Sequence, residues 1–479
     1  MKILFIYPPY EKKEIFSFLS NNAPVLPPLG LAYLGGYLRK HSYKVRIIDG
    51  PGLGIKTEDI VKAARNYSPD LIGITANSAL YSRALTLSKK LKDILPSAKI
   101  VLGGYHPTFL AQEVLANDFV DFIVKGEGEE TLLELCKALE ENGEFLHIKG
   151  LGYKLKGQIR INGERDFIED LDKLPFPAYD LLPLANYHIG NIIGRAKDTI
   201  SIIASRGCTG NCYFCPSPGF WKNTYRKHSP EYVISLMNYL HEKYRKNYFQ
   251  FRDDTFILDK DWVLQFCGLL LKNKYKFKWD CYGRFDYLED NLLATMKKSG
   301  CCQLSLGVES AEDETIKQFK KFSKREVYAG MNLLKKYSIK SRLFFMIGPP
   351  SRNLEELNKI APFAIDLDPD LLHLTASIPY PGSGFYKTIL AKGFKLEFDT
   401  KIPKMYEAFC DFDQFTKEQI NQKIVEIYRK FYLRPRYILK QLFLIRSFSD
   451  FYNLLLGGIF AIRIMISKIK DVFINKGRV

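Results

Sequence analysis

Short apolar runs alternate with helix-like segments along the first 143 residues. Five runs are rich in β-branched and aromatic residues, namely KILFIYP, KVRIID, DLIGIT, KIVLGG and DFIVKG. Each is followed by an amphipathic or apolar stretch, and this alternation predicts a parallel sheet with helices on both faces. Because parallel crossovers are right-handed, we expect a doubly wound, Rossmann-like domain over residues 1–145. Any ligand should bind beyond the carboxyl ends of its strands.

A hairpin pattern and a proline-rich stretch separate this domain from a second alternation. Residues 146–165 read as a β-hairpin, and the segment DLDKLPFPAYDLLP breaks regular structure, so residues 146–190 are expected to form a linker. Six strand candidates follow, TISIIAS, YFQFRD, FKWDCYG, CQLSLGV, SRLFFMIG and LLHLTASI. They predict a partial (β/α)6 barrel over residues 191–395, with chemistry at the carboxyl ends of its strands. Residues 396–479 lack strand alternation and are expected to be helical. The fold class is α/β.

The composition is that of a folded protein, with 46% hydrophobic and 26% charged residues among 479. The formal net charge of +17 suits many kinds of anionic partner and distinguishes none of them. The N-terminal MKILFIYPPY is a strand pattern without the features of a secretion signal, and nine cysteines in so long a chain are not a disulfide framework. We therefore expect a cytoplasmic protein. The charge-free apolar run at residues 451–462 is shorter than the roughly 20 residues that span a bilayer.

Three cysteines follow the first strand of the predicted barrel, in the sequence SRGCTGNCYFCP. Cys208, Cys212 and Cys215 have C-x3-C-x2-C spacing on a loop at the carboxyl end of that strand. Three thiolates on one tight loop can hold one face of a 4Fe–4S cluster and leave its fourth iron open for chemistry. Structural zinc would need a fourth ligand at zinc spacing, and no C-x2-C or H-x3-H partner accompanies the triplet.

With this triplet the second domain resembles the radical SAM superfamily. The resemblance implies that the open iron binds S-adenosylmethionine. An electron delivered by a donor such as ferredoxin or flavodoxin would then cleave it to a 5′-deoxyadenosyl radical that attacks unactivated carbon. It assigns Phe214, just before the third cysteine, to the adenine. FRDDTF holds Asp253 and Asp254 where many relatives carry a Gly-Gly-Glu that fixes the methionine amine, so the departure leaves open whether either aspartate does this. Of the two we choose Asp253.

Further polar residues of the second domain match the superfamily in order. Glu309 and Ser310, at the end of the fourth barrel strand, resemble its ribose and amino-acid contacts. Arg284 and Arg342 are candidates for the methionine carboxylate, because guanidinium is a bidentate partner for carboxylate. A salt bridge or a solvated side-chain end is the alternative for each arginine.

A doubly wound domain before such a barrel resembles the cobalamin-binding members of the superfamily. The turns GGYHPT and KGEGE carry this resemblance, and glycines there would let the corrinoid approach the backbone. The cobalamin contacts that it implies are Thr75, Asn77, Gly103, Gly104, Tyr105, Gly126 and Glu127. No Asp-x-His-x-x-Gly motif occurs, so we expect base-off cobalamin without a protein histidine, and His106 held by turn hydrogen bonds. A domain that keeps the fold without cobalamin is the alternative.

Other classes of protein fit the sequence less well. A methylthiotransferase acting on transfer RNA needs three further N-terminal cysteines, and only Cys136 precedes Cys208, so no nucleic-acid partner is expected. A cobalamin sensor would leave the triplet and the barrel unexplained. The later cysteines are expected to be buried small hydrophobes, namely Cys267, Cys281, Cys301, Cys302 and Cys410.

Basic and apolar residues concentrate near the C-terminus. A helical pattern over residues 451–475 places Arg463 and Lys470 beside a wide apolar face. This helix would pack on the barrel mouth or lie in a membrane interface. The segment suggests relatives that work on lipids and tetrapyrroles, such as the anaerobic magnesium-protoporphyrin monomethyl ester cyclase and hopanoid methylases. We expect methyl transfer to a hydrophobic small molecule or lipid, with peripheral contact at the inner membrane face; cyclisation or rearrangement without methylation is the alternative.

Overall fold

The structure is a computed structural model that describes residues 1–17, 20, 23–188, 198–349 and 351–443. Within these ranges the chain forms a seven-stranded sheet, a six-stranded sheet and a small two-stranded sheet. Helices cover both larger sheets, and buried apolar residues of both units join in one continuous core. The predicted α/β class is confirmed.

The first sheet has the strand order β2-β1-β3-β4-β5-β6-β7, and β1 to β5 are parallel. Its strands are β1 (Lys2–Tyr7), β2 (Lys44–Asp49), β3 (Leu71–Thr75), β4 (Lys99–Gly103), β5 (Phe122–Val124), β6 (Leu151–Leu155) and β7 (Gln158–Ile161). The helices between them are α1 (Lys12–Phe16), α2 (Leu29–Lys40), α3 (Gly50–Leu53), α4 (Thr57–Tyr67), α5 (Tyr81–Ile94), α6 (Tyr105–Phe109), α7 (Ala111–Leu115) and α8 (Glu129–Glu141). The order in which strands are added changes direction between β1 and β3: β2 lies on one side of β1, and β3, β4 and β5 follow on the other. Such a switch point opens a crevice at the carboxyl ends of β1 and β3.

The hairpin expected in the linker belongs to the first sheet. Strand β6 pairs antiparallel with β5, and β7 pairs antiparallel with β6. Leu151 and Tyr153 are buried against the core of this unit, which is why the hairpin stays on the sheet edge. The boundary expected at residue 145 therefore falls inside a unit that continues through β7. The true connection between the two larger sheets comes after it.

The second sheet is the predicted partial barrel, with six parallel strands in the order β15-β14-β13-β12-β11-β8. Its strands are β8 (Thr199–Ile202), β11 (Tyr248–Phe251), β12 (Lys278–Gly283), β13 (Cys301–Glu309), β14 (Lys340–Ile347) and β15 (Leu371–Ala376), and the small sheet is β9 (Ser205–Gly207) with β10 (Tyr225–Lys227). The helices are α9 (Ser217–Phe220), α10 (Pro230–Tyr244), α11 (Lys260–Lys272), α12 (Asp290–Lys298), α13 (Asp313–Lys320), α14 (Lys324–Lys336), α15 (Leu354–Leu367) and α16 (Gly384–Ala391). All six strands point their carboxyl ends toward the first unit's crevice, where both units line one cavity.

The C-terminal segment, as far as it is described, closes the open edge of the barrel. Helix α17 (Lys417–Tyr432) packs on β15, where the Tyr428 and Tyr432 hydroxyls exchange hydrogen bonds of 2.8–2.9 Å with the strand's backbone. Helix α18 (Pro435–Phe443) follows and exposes apolar side chains. No helix in the described ranges is long and apolar enough to cross a membrane. The helix predicted around Arg463 and Lys470 lies outside the described residues.

Candidate active site

The cysteine loop leaves the barrel through a turn that requires glycine. Gly207 ends β9 with φ +92°, and an added Cβ would collide with the carbonyl of Thr224, the residue just before the facing strand β10. A side chain here would force β9 and β10 apart, so the sequence Arg-Gly-Cys sets the direction in which the loop departs. Cys208 follows at once, at the carboxyl end of the barrel.

The three thiols lie on one short loop held by local hydrogen bonds. The Cys208 sulfur accepts the amide of Gly210 at 3.3 Å and lies 3.4 Å from Thr255 Oγ1. The Cys215 amide donates to the Cys212 carbonyl at 3.0 Å, which closes a turn between them. No three His, Cys, Asp or Glu side chains in the described ranges converge as they would on a single metal ion. A four-iron cube is a larger body, and its open iron needs no fourth protein ligand.

Two cationic side chains lie beside this loop. Arg284 Nη1 lies 3.7 Å from the Cys212 sulfur, and the buried Lys320 ammonium lies 5.7 Å from the centre of the Phe214 ring. Burial raises the pKa of the Cys215 thiol to about 12, and the charge of Lys320 opposes that rise. A thiolate at this position therefore needs nearby cations, and iron bound to it would supply more. Sequence reasoning missed Lys320, because nothing in its local pattern separates it from other helical lysines.

The residues predicted to contact S-adenosylmethionine fall at two depths of the barrel. Glu309 lies at its carboxyl end in a left-handed conformation, φ +70°, and pairs with Lys320 at 3.1 Å. Ser310 is buried and accepts the amide of Glu312. Arg284 pairs with Asp286 and also donates to the Lys320 carbonyl. Arg342 lies deeper, away from the cysteine loop, where it donates to the Tyr282 hydroxyl at 3.1 Å.

The adjacent side chains of Asp253 and Asp254 make different contacts. The Asp253 carboxylate accepts the Ala204 amide at 3.1 Å and the Ser205 hydroxyl at 2.5 Å, so it ties the loop after β11 to the short connection between β8 and β9. Burial raises the pKa of Asp253 to about 7. Asp254 instead lines the cavity and accepts the Ser217 hydroxyl at 2.6 Å. The choice of Asp253 over Asp254 as a ligand contact is thus not supported by its hydrogen bonds, and Asp254 is the better placed of the two.

A cavity of about 390 Å³ lies between the carboxyl ends of the two larger sheets. From the first unit it is lined by six of the seven residues predicted to meet cobalamin, namely Thr75, Gly103, Gly104, Tyr105, Gly126 and Glu127. The seventh, Asn77, is exposed and is not among the lining residues; its side chain accepts the Leu80 amide at 2.9 Å. From the barrel the cavity is lined by Ile203, Ser205, Arg206, Gly207, Phe220, Trp221, Arg252 and Asp254.

Glycine makes the room on the first unit's side of the cavity. Gly104 has φ +106°, and a Cβ there would lie 3.1 Å from the Ala76 carbonyl oxygen. Gly126 also has positive φ, with open space where a side chain would stand. Tyr105 reaches across and stacks on Phe220 of α9 with ring centres 4.3 Å apart. A flat ligand could therefore approach the backbone closely between these glycines and the aromatic wall.

His106 turns away from this cavity. Its Nδ1 lies 3.0 Å from the Ser78 hydroxyl, and its ring stacks on Tyr81 with centres 3.8 Å apart. The side chain is fully buried and is not among the lining residues. The position matches the expected histidine held by turn hydrogen bonds.

Glu127 ties the two units together. Its carboxylate accepts hydrogen bonds from Arg206 at 2.6 Å, from Arg226 at 2.9 Å and from the Ile168 amide at 2.8 Å. Arg206 also binds Glu129 at 2.7 Å. Burial alone would raise the pKa of Glu127, but the two guanidinium groups lower it below its usual range. Although Glu127 lines the cavity, both of its carboxylate oxygens accept hydrogen bonds from Arg206, Arg226 or Ile168. Neither oxygen is therefore free for the predicted contact with cobalamin.

Comparisons with known proteins agree with this architecture. The model of the B12 binding domain matches residues 19–136, and that of the radical SAM superfamily matches residues 202–364. An uncharacterized methyltransferase of Pyrococcus horikoshii is 32% identical over 445 residues, which cover 92% of this chain and 95% of that protein. The chain belongs to the cobalamin-binding radical SAM enzymes. The expected resemblance is thereby confirmed.

Two further relatives show the range of this radical SAM family. The anaerobic magnesium-protoporphyrin IX monomethyl ester cyclase of Rubrivivax gelatinosus is 27% identical, over 91% of this chain and 78% of that protein. The hopanoid C-3 methylase of Methylococcus capsulatus is 25% identical, over 81% and 72%. Among solved structures, OxsB with aqua-cobalamin and S-adenosylmethionine superposes with TM-score 0.71 at 17% identity, covering 98% of this chain and 72% of that one. That likeness shows a shared fold.

Proposed function

We propose that this radical SAM enzyme transfers a methyl group to an unactivated carbon. A 4Fe–4S cluster would be held by Cys208, Cys212 and Cys215, and cobalamin would occupy the cavity between the units. One observation carries the proposal: α9, which begins two residues after Cys215, supplies Phe220 to the wall that faces the cavity glycines. The cysteine loop and the glycine turns therefore serve a single space.

The chain's residues have distinct tasks in this proposal. When bound, the cluster supplies the electron that cleaves S-adenosylmethionine, and cobalamin supplies a carrier for the methyl group. The three thiolates bind iron and leave one coordination position open. Arg284 and Lys320 lie where a methionine carboxylate could pair with them. The stacked Tyr105 and Phe220 exclude water from the space where a carbon radical would form.

We propose base-off cobalamin, without a protein imidazole on cobalt. No histidine is among the described residues that line the cavity, and His106 is held by Ser78 and Tyr81. Electron paramagnetic resonance of the cob(II)alamin form tests this. Nitrogen superhyperfine splitting from a lower ligand would contradict it, and failure of the reconstituted protein to take up corrinoid would favour a domain that keeps only the fold.

Labelled S-adenosylmethionine tests the methyl transfer itself. The protein would be reconstituted anaerobically with iron, sulfide and cobalamin, then reduced chemically or through ferredoxin or flavodoxin, the donors that we propose. With a ¹³C-methyl donor, we expect the label in the corrinoid fraction even before the substrate is known. If 5′-deoxyadenosine forms while the corrinoid stays unlabelled, methylation is wrong and the cyclisation or rearrangement alternative takes its place.

A hydrophobic substrate and peripheral membrane contact complete the proposal. Helix α18 exposes Ile438, Leu439, Leu442 and Phe443, the last with 85% of its surface accessible. Arg436 and Lys440 lie on the same short helix. Apolar side chains with basic neighbours are typical of helices in a membrane interface, where each buried large side chain contributes about 1.5–3 kcal/mol.

Vesicle binding tests the membrane contact. Full-length protein should co-sediment with vesicles of anionic lipid, less so as salt rises, because salt screens the attraction. Leu439→Ser combined with Phe443→Ser should weaken this binding at least tenfold. Leu155→Ser, at an exposed leucine of the β6–β7 hairpin, is the matched control and should leave it unchanged. Equal binding of both variants would contradict the membrane contact.

A further inference from the structure

The inside of the barrel holds a polar layer below the cysteine loop. Strand register places Tyr282 beside Ser305, and Ser305 beside Arg342. Gln250 pairs with Asp280, so Arg252, two residues further on, reaches the level of Tyr282. The Tyr282 hydroxyl accepts Arg252 Nη1 at 2.8 Å and Arg342 Nη2 at 3.1 Å. We call Arg252, Tyr282 and Arg342 the arginine layer.

The space beside this layer is open. Along β14 and β15 the residues that face into the barrel are partly exposed, whereas their neighbours, which face the helices, are buried. Arg342, Phe344 and His373 belong to the exposed set, and Arg252 and Tyr282 are partly exposed as well. Since these residues lie inside the barrel, their accessible surface faces an interior space. Arg252 also lines the large cavity, so this interior and the cavity meet.

Both arginines lack an acidic partner. Neither Arg252 nor Arg342 forms an ion pair within 4 Å among the residues that the structure describes. The Arg342 Nε is buried and has no hydrogen-bond partner within the described ranges. Leaving a buried charged donor unsatisfied is costly, so such an atom indicates a missing acceptor.

The other ionisable groups in this interior do not cancel the arginines. Asp280 lies one layer deeper and accepts Gln250 Nε2 at 3.1 Å, which leaves one carboxylate against two guanidinium groups. Burial and the charge of Arg342 lower the pKa of His373 to about 3, so it is neutral. Burial alone would raise the pKa of Tyr282, but Arg252 and Arg342 lower it. The layer therefore keeps excess positive charge in a confined space.

Aromatic rings form the wall beside Arg342. Its guanidinium carbon lies 5.0 Å from the centre of the Phe344 ring. Phe344 contacts His373 with ring centres 4.7 Å apart, and His373 contacts Tyr406 at 5.5 Å. This wall would pack an apolar or aromatic body next to the charged layer.

We propose that Arg252 and Arg342 bind an oxyanion of the substrate, a carboxylate or a phosphate, while its apolar body packs on the aromatic wall. The inference rests on the proposed function, because it places the substrate where the barrel opens into the cavity. Paired guanidinium groups bridged by one phenol match the geometry of a bidentate oxyanion. Arg342 thereby leaves the set of S-adenosylmethionine contacts. Arg284 lies one inward-facing layer nearer the cysteine loop, about 7 Å along the strand direction.

Binding of simple probes tests this site. Calorimetry on reconstituted full-length protein with saturating S-adenosylmethionine would compare 2-naphthoate, 2-naphthyl phosphate and neutral 2-naphthylmethanol. One of the two anions should bind at least about tenfold more tightly than the alcohol, since charge-assisted hydrogen bonds are the stronger kind. Whichever anion binds better identifies the substrate's group. Arg342→Gln should remove the preference, and Arg39→Gln, at an exposed surface arginine, should keep it.

Several outcomes would overturn the inference. Equal binding of the alcohol and both anions would show that no anion site exists. Displacement of the anion by increasing concentrations of S-adenosylmethionine would show that the arginines bind that cofactor. If the Arg342→Gln variant has a lower melting temperature than the parent, the Arg342→Lys variant replaces it in the test. Because lysine keeps the positive charge, this variant must keep part of the preference for the anions over the alcohol. Absence of probe binding while methyl label still reaches the corrinoid overturns this site alone. Absence of label overturns the proposed function instead.

Discussion

The carboxyl ends of the two larger sheets face one cavity but line it with different kinds of residue. The first unit lines it mainly with glycines and apolar residues, and its turns at Gly104 and Gly126 leave space, while its carboxylate Glu127 is occupied by Arg206 and Arg226. The barrel ends in ionisable side chains, with Cys212 beside Arg284 and Asp254 in the wall. One side makes room and the other provides chemistry. A ligand held mainly by shape and a ligand held by coordination and charge can thus meet without competing for the same residues.

Distorting the glycine turn on the first unit's side should have the largest effect. Gly104→Val would place a side chain against the Ala76 carbonyl at a φ of +106°, so cobalamin uptake should fall from about one equivalent to none. Iron content should not change, since the cysteine loop is on the other side. Gly157→Val carries similar backbone strain, at φ +79°, in open space and is the control. Cobalt and iron analysis after reconstitution decides; retained cobalt in Gly104→Val would break the comparison.

Loss of the ion pairs that Glu127 makes between the two units should have the next largest effect. Glu127→Ala would leave Arg206 and Arg226 buried without their shared partner, which typically costs about 3–5 kcal/mol. The midpoint of urea unfolding should fall accordingly. Glu164→Ala removes an exposed partner of Lys222 and should cost less than about 1 kcal/mol. Equal shifts in the two variants would show that the Glu127 ion pairs do not hold the units together.

A smaller, pH-dependent effect should come from Asp253 on the barrel side. Its pKa is about 7 in the folded protein against 3.8 ordinarily, so the folded state holds this proton more tightly than the unfolded state. The free energy of unfolding should therefore fall as pH rises from about 4 to about 7, by roughly 4 kcal/mol at most. The Asp253→Asn variant has no carboxyl group at this position, so its free energy of unfolding should not show this decrease.

Thermal melts of parent and Asp253→Asn between pH 4.5 and 8 measure that difference. The two melting curves should diverge as pH rises, with the variant the more stable at pH 8. Asp93→Asn, at an exposed position, should run parallel to the parent throughout. If Asp253→Asn is parallel to the parent as well, the buried carboxylate does not titrate in this window.

Sequence periodicity predicted the two sheets and the order of their strands along the chain, because each buried strand has a continuous apolar run. Cysteine spacing located the triplet, and the family resemblance located the cavity-lining glycines Gly103, Gly104 and Gly126, since these are local motifs. Periodicity could not place the hairpin, because pairing of β6 with β5 depends on a sheet edge formed by distant residues.

Polar residues inside the barrel were harder to assign. Asp253 and Asp254 are adjacent, and only the fold shows that one binds the connection between β8 and β9 while the other faces the cavity. Arg284 and Arg342 look alike in sequence but lie at different depths, which follows from strand register. Lys320 and Arg252 carry no motif at all. The partners that define their roles, Glu309 for Lys320 and Tyr282 for Arg252, are 11 and 30 residues away in the chain, so these roles follow from tertiary contacts.

The most direct test of the central claim is formation of 5′-deoxyadenosine by anaerobically reconstituted protein with reductant and S-adenosylmethionine. The parent should form it, and Cys212→Ala should form none above background, with loss of the cluster's absorbance. Cys302→Ala removes a partly buried cysteine of β13, outside the triplet, and should match the parent. Formation of 5′-deoxyadenosine by Cys212→Ala at the parent rate would contradict the claim that the triplet holds the catalytic cluster.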